Sequence, residues 1–362
     1  MARNRIIYQS EALFVSATGI TASGSVKQIH RVQSANYSFD LSRQDINQFG
    51  QLAALDRIIL EQPTVALDFS YYVESGEQED LIGFDVGNGA SAVSSILSGD
   101  DVSPRQDMQT YYITTSPEGN DNAGYASNAS GVIGIGNAFM TSYSVEGGVG
   151  DFISASVNCE GLNICFSKSA TDTVPDPTLD STAGTLANTV TPVTMPLATV
   201  GTGAGNPKAL RHGDVLLALG TGQIGVNATD LTNFHAQNFS FSFELSRTNL
   251  EKLGSRFAYS KEIEFPSSAS LDVSAIVGDL NGTNDAMLED YLNDAGDTES
   301  SPVVSCSGAG STSGLKYTLM GAKLDSQGFS SSIGDNKTVD LSYSTQIGGP
   351  QDATHGIKID KI

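Results

Sequence analysis

The chain has 362 residues, room for two domains of ordinary size, and 39% of them are hydrophobic, enough to fill a core. Nineteen Lys and Arg stand against 41 Asp and Glu, a net charge of −22. A chain this acidic lacks the cations that displace counterions from phosphate, which argues against non-specific binding of nucleic acid. Gly, Ser, Thr and Asn are abundant and Trp is absent, a balance that favours strands and turns over long helices. No apolar run is long enough to span a membrane. Met1 to Tyr8 carries positive charge without an apolar stretch behind it, so no secretory leader is expected. Cys159, Cys165 and Cys306 are odd in number and lack metal-type spacing, as expected of reduced, buried thiols made in a cytoplasm.

In chain order, the first long alternating stretch runs from Gln33 to Leu41, with Tyr37, Phe39 and Leu41 on one face of a strand. Ser42 then reads as an N-cap, with Arg43 just inside and Asp45 in the first turn of a short helix reaching Asn47. Gly50 is the natural stop. Gln62-Pro63 breaks the chain before a second strand carrying Val65, Leu67, Phe69 and Tyr71. A short helix is predicted over Ala90–Leu97, a strand at Tyr111–Thr114, and a hairpin joining Thr141–Val145 to Ala155–Ile164. Residues 169–206, rich in Thr, Ser, Pro, Gly and Ala, read as an inter-domain linker or an extended arm that orders only in an assembly.

The rest of the chain repeats this plan. Tyr37-Ser-Phe-Asp-Leu-Ser-Arg43 recurs as Phe241-Ser-Phe-Glu-Leu-Ser-Arg247, an offset of 204 residues. Held without a gap, that offset pairs Gly50 with Gly254, Ile59 with Ile263, Leu67 with Leu271 and Val73 with Val277. It pairs Leu13 with Leu217 in the other direction. Val149-Gly-Asp151 and its following strand recur as Ile333-Gly-Asp335 and its strand, at an offset of 184. Ser246 and Arg247 therefore repeat the predicted cap, Gly254 the stop, Asp285–Leu292 a later helix, Pro302–Ser305 a strand, and Lys316–Leu324 with Lys337–Ser344 the closing hairpin. The reading is mainly β: two tandem domains, 1–205 and 206–362, each a β-sandwich or half-barrel with one or two short helices.

Motifs with possible chemistry are weak. Gly220-Thr-Gly222-Gln-Ile-Gly225 fits a dinucleotide fingerprint, but no helical period follows it, and its repeat counterparts are Ser16, Thr18 and Thr21. Gly201–Lys208 lacks the ending of a phosphate loop, and Asp279–Asp285 has Asn284 where a calcium loop needs glycine. His30, His212, His235 and His355 show no acidic or thiol partner at a catalytic spacing. The carboxylate pairs Asp100-Asp101 and Glu289-Asp290 lie on polar stretches, without the crowded setting that separates acid from base. No enzyme, cofactor or metal is expected. The structural candidates are Ser42, Arg43, Gly50, Ser246, Arg247 and Gly254, each arginine reaching a carboxylate or backbone carbonyls.

Ser38-Phe-Asp-Leu-Ser-Arg43, Phe49-Gly50 and Pro63–Tyr72, with the hairpin Ser142–Glu146, Val149–Phe152 and Ser154–Asn158, resemble the major tail tube proteins of tailed bacteriophages. Ile7–Phe14 is similar in style to virion structural proteins. The resemblance covers most of both copies outside the linker. It implies a non-enzymatic virion subunit, assembled in the host cytoplasm, that forms stacked rings with a β-barrel lumen and meets other tail proteins. A chain with two such domains would close a ring of six from three copies, and DNA would pass the acidic lumen without specific binding. The alternatives are another ring-forming tail or baseplate component, or a secreted adhesin or carbohydrate-binding β-sandwich. The absence of a leader and of Trp argues against the last.

Overall fold

The computed structural model describes residues 6, 7, 10–17, 26–87, 91–98, 107–116, 122, 131–168, 173–180, 185, 186, 193–199, 209–220, 223, 224, 226, 234–255, 257, 258, 260–278, 288–292, 298–307 and 314–362. The architecture is mainly β. The first half contributes β1 (Glu11–Ala17), β2 (Lys27–Ile29), β3 (Val32–Asp40), β4 (Arg43–Ile46), β5 (Asp56–Ile59) and β6 (Thr64–Tyr72). Helices α1 (Glu77–Leu81) and α2 (Ser94–Ser98) follow, then β7 (Met108–Thr115), β8 (Gly131–Gly148), β9 (Ser154–Gly161) and β10 (Asn163–Lys168).

Strand β8 runs through two layers. Its N-terminal part pairs with β7 and β10, and its C-terminal part with β9. One layer is β2-β1-β7-β8-β10, and the other is β8-β9-β6-β3. Period-two alternation fills the space between them. On β6, Val65, Leu67, Phe69 and Tyr71 are buried while Thr64, Ala66 and Asp68 are exposed.

The second half uses the same wiring. β15 (Val215–Ala218), β20 (Val303–Ser307), β21 (Gly314–Met320) and β24 (Gly356–Lys361) form one four-stranded sheet. β16 (Phe234–Glu244), β19 (Ser267–Val277), β23 (Thr338–Ile347) and β22 (Lys323–Ser330) form the other layer. Between β19 and β20 lies α3 (Leu288–Leu292).

The registers agree residue by residue. Tyr37 faces Leu67 and Phe39 faces Val65; at offset 204, Phe241 faces Leu271 and Phe243 faces Ala269. The bulge between Val32 and Ser34 recurs between Ala236 and Asn238. At offset 184, the bulge between Met140 and Ser142 recurs between Leu324 and Ser326. Asn137, with φ 53°, has its counterpart in Gly321, with φ 61°. Bulges and left-handed residues re-aim strands, so repeating them repeats the curvature of the sheet.

Three expectations are corrected. The helix placed at Ser42–Asn47 is a strand: β4 pairs with β5, Arg43 opposite Ile59. The same holds for Ser246 onward, where β17 (Arg247–Leu250) pairs with β18 (Ser260–Ile263), Arg247 opposite Ile263. One turn of helix cannot hold itself, whereas the hairpin gains a ladder and an Arg57–Asp45 contact of 2.6 Å. Ser42 and Ser246 are exposed links between strands, and Gly50 and Gly254 sit in the hairpin loops at φ 84° and 89°. The helix placed at Ala90–Leu97 begins only at Ser94, and α1 precedes it without having been foreseen.

The third correction concerns the linker. Within it lie β11 (Thr173–Val174), β12 (Leu179–Asp180), β13 (Thr185–Leu186) and β14 (Val193–Thr194), paired β11 with β14 and β12 with β13. The described part of this arm is seated on the first half. Val174, Val193, Met195 and Ala198 pack with Phe14, Val26, Tyr112 and Val132, and Leu179 packs with Met108, Phe139 and Leu162. Asn137 fastens the arm through Leu179, accepting its N–H at 2.6 Å and donating to its carbonyl at 3.0 Å. A Cβ on Gly136 would lie 2.4 Å from the Pro177 carbonyl oxygen. Gly136→Ala is therefore expected to cost about 1–3 kcal/mol. It should also speed proteolysis within 169–206, as read by limited digestion against the parent chain.

A single core runs through both halves, and α1 lies over their junction. Its Glu79 is fully buried, and its Oε1 accepts hydrogen bonds from the hydroxyls of Tyr71 at 3.0 Å, Tyr143 at 3.3 Å and Tyr317 at 3.5 Å. Burial raises the Glu79 pKa, and the hydrogen bonds from the backbone and the tyrosines pull it back only in part. The folded state thus binds the Glu79 proton more tightly than the unfolded chain does. Its contribution is fully present below the unfolded value of 4.5 and is lost as pH rises through the higher folded value. Glu79→Gln should remove that dependence. The stability of the parent chain relative to the variant should improve as pH falls toward 4.5, measured by urea unfolding at a series of pH values. A relative stability that does not change with pH would contradict this assignment.

Candidate functional site: a polar sheet face with two open edges

The C-terminal part of β8 also pairs with β16, Phe241 opposite Val145 and Ser242 opposite Ser144. This seam joins the inner layers into one antiparallel sheet of eight strands, β3-β6-β9-β8-β16-β19-β23-β22. Because successive side chains alternate, one face carries the core and the other is left to solvent.

The solvent face is built from hydroxyls, amides and carboxylates. Asp40, Asp68, Glu146, Glu160, Glu244, Asp272 and Asp340 lie on it, with Lys323 the one cation among its described residues. Each carboxylate in the middle of the sheet stands opposite a neutral partner. Asp272 faces Ser240 and Ser342, Asp340 faces Ser274, and Asp68 faces Asn36 and Asn158. Asn36 donates to Asp68 at 2.8 Å, Asn158 donates to Ser142 Oγ at 2.7 Å, and the Ser34 and Ser70 hydroxyls share a 2.7 Å bond. Spacing the charges this way keeps the carboxylates from converging on one point. Among the described residues no group of three His, Cys, Asp or Glu gathers as metal ligands would. Across the seam, the end of the first half and the strands of the second form an open trough of about 1200 Å³ lined by Glu146, Asp272, Asp340 and their serine neighbours.

The sheet ends on β3 and β22, neither of which has a second strand partner among the described residues. Unpaired edges invite another strand. Apolar side chains stand exposed at both: Tyr37 at 37% and Phe39 at 55% on β3, and Phe329 at 45% on β22. Exposed apolar groups also mark the two ends of the strands. The loop of β4–β5 presents Phe49 and Leu52, and that of β17–β18 presents Leu253. At the opposite end, the β8–β9 turn presents Val149 and the β22–β23 turn Ile333.

The two arginines take up repeated positions. Arg43 Nη1 donates to the Arg57 carbonyl at 3.5 Å, and Arg247 Nη1 to the Lys261 carbonyl at 3.2 Å, the same bond at offset 204. Arg247 does more. Its Nε donates to the Met140 carbonyl at 3.4 Å, and its guanidinium lies 5.0 Å from the centre of the Phe139 ring. Beside it Lys261 Nζ meets Glu160 at 2.6 Å, so the β17–β18 hairpin is clamped onto the first half. Arg43 is exposed and touches only its own hairpin in the described contacts.

The discounted motifs sit as follows. Gln223 donates to the Tyr343 hydroxyl, and the Ile224 backbone N–H and carbonyl bond the Gln327 side-chain amide at 3.0 and 2.7 Å, so this stretch braces β22 and β23. Gly222, Gly225, Gly201–Lys208, Asp279–Asp285 and Asp100-Asp101 lie outside the described residues. His355 does have an acidic neighbour, Asp352 at 3.4 Å. The Thr354 hydroxyl and N–H hold that carboxylate down at about 2, and the cluster shapes the loop that enters β24. Cys159 and Cys306 are buried, which pushes both thiols up to about 12. No helix among the described residues is long and apolar enough to cross a membrane.

No family model and no curated protein matches the chain. Solved structures do. A chain from the tail of an empty GTA particle, of C6 symmetry, is 16% identical with a TM-score of 0.23, over 39% of this chain and 96% of its own. A chain of the sixfold-symmetrised baseplate of the anti-feeding prophage is 12% identical with a TM-score of 0.26, over 46% of this chain and 98% of its own.

Proposed function

We propose that this chain is a structural component of a phage-like tail, and within the tail the subunit of its tube. Residues 1–205 and 206–362 would act as two quasi-equivalent domains, three chains closing a ring of six. Rings would stack into a conduit for DNA in the virion, bounded by other tail proteins. One observation carries the reading: a face of carboxylates, hydroxyls and amides crosses eight strands drawn from both halves, and both its outer strands are open among the described residues. A sheet with two open edges is completed by closing on further copies. If the polar face turns inward, DNA meets a wall that repels phosphate and offers few cations to bind it. The apolar hairpin loops at one end and the apolar turns at the other would then meet between stacked rings. A baseplate ring would share the closure but not the indefinite stacking.

Negative-stain microscopy of the purified chain tests this. Tubes of even bore are the expected result, single rings would favour the baseplate reading, and a monomer at every concentration would overturn both.

A further inference from the structure

The seam inside the chain specifies a second seam. It is made by β16, the counterpart of β3 at offset 204, and by the C-terminal part of β8, the counterpart of β22 at offset 184. The two strands that are paired in the middle of the sheet are thus the twins of the two strands left open at its ends. The seam buries Phe241, Phe243 and Val145, and their twins Tyr37, Phe39 and Phe329 are the aromatics exposed at the edges.

A second contact follows the same pattern. In the first half, the stretch between β6 and β7 crosses to the second half and covers β24. The Ala92 N–H donates to the Ile357 carbonyl at 2.6 Å and the Gly87 N–H to that of Ile359 at 2.8 Å. β10, the twin of β24, has no such cover among the described residues, and its Phe166 is 62% exposed beside Tyr37, ring centres 6.4 Å apart. The second half carries α3 in the corresponding stretch, with Leu288 and Leu292 exposed on it.

We infer that contacts between copies repeat the internal seam: β22 of one chain adds antiparallel to β3 of the next, Tyr37 opposite Phe329 and Ser38 opposite Gly328, while the α3 stretch covers β10. This rests on the proposed ring and fixes its register. One feature of the seam is not repeated. The position of Phe139, under Arg247 and Lys261, is taken by Lys323 at the open edge. The β4–β5 hairpin therefore lacks that clamp at the new seam.

Disulfide trapping tests the register. Directly opposed residues of an antiparallel pair lie within disulfide reach, whereas a shift of two residues takes them out of it. Ser38 is exposed, and a Cβ at Gly328 meets nothing within 4 Å. Chains carrying Ser38→Cys and chains carrying Gly328→Cys, mixed and mildly oxidised, should link in pairs. The double variant should end as a covalently closed trimer. Asn36→Cys with Ser330→Cys, in the same register, should give the same linkage. Ser38→Cys with Ser326→Cys or Ser330→Cys should link at least tenfold less. Tubes or rings that form without the in-register link, or with a shifted one, overturn the inference and leave the tail reading standing. An unmodified chain that never assembles overturns both.

Discussion

Lysine in place of Glu146, Asp272 and Asp340 is expected to turn an assembly that lets DNA pass into one that holds it. The three carboxylates line the same trough, and among the described residues the only cation on that face is Lys323, on β22. Reversing them changes the charge of the face by six per chain, and ring closure multiplies this around the lumen. Each phosphate neutralised contributes a slope of about −0.9 to the dependence of log affinity on log salt. Retention of a short duplex by assembled particles should rise on the order of 100-fold or more at low salt and fall steeply as salt is added. Filter binding at several salt concentrations reads both effects. Unchanged, weak retention in correctly assembled variant particles would mean that this face does not meet the DNA. The exposed positions make loss of folding a small concern, since surface substitutions seldom move stability far.

Tyr143→Ala should have the largest effect on the fold, lowering the unfolding free energy by about 3–5 kcal/mol. Tyr143 is fully buried on β8 at the seam. Its ring packs edge-on against Phe84 at 4.8 Å and beside Phe243 at 5.8 Å, joining the helical insertion, the first half and the second. Its hydroxyl also meets Tyr317 at 3.0 Å and Glu79 at 3.3 Å. Truncation opens a cavity and leaves buried polar groups short of a partner. Tyr143→Phe keeps the packing and should cost only about 1–2 kcal/mol. Urea midpoints compared at constant slope separate the two variants. Equal midpoints for Tyr143→Ala and the parent chain would contradict the role assigned to the seam.

How far the sequence revealed this arrangement depended on how many residues each signal spanned. The alternation on β6 and the repeat of β3 in β16 extend over enough positions for the apolar face to stand out, and the registers follow the two offsets. The stretch after Ser42 is ambiguous in sequence because a serine followed three residues later by Asp45 suits a helix cap and a hairpin entry equally. Only the distant strand Asp56–Ile59 decides between them. Helix α1 left no amphipathic signature, since its most buried charged residue is Glu79, satisfied by three tyrosines from elsewhere in the chain. The arm's Thr, Ser and Pro content gives no strand signal. Its few anchors, Val174, Leu179, Val193 and Met195, are too sparse to form a period. The polar face was present as alternation, but which strands meet across the seam is a matter of topology. Of the named site residues, Arg43 and Arg247 each donate to a backbone carbonyl of their own hairpin, and Arg247 also reaches the first half, a difference that the repeated Leu-Ser-Arg does not encode.

The central claim is that copies of this chain close into rings through the open edges of one continuous sheet, with its polar face inward. Electron cryomicroscopy of particles assembled from the purified chain tests it most directly. The account predicts three chains per ring, β3 of each paired with β22 of its neighbour, and Asp68 and Asp272 pointing into the lumen. A ring of six chains, or a closed ring with Asp68 and Asp272 on its outer surface, would contradict it.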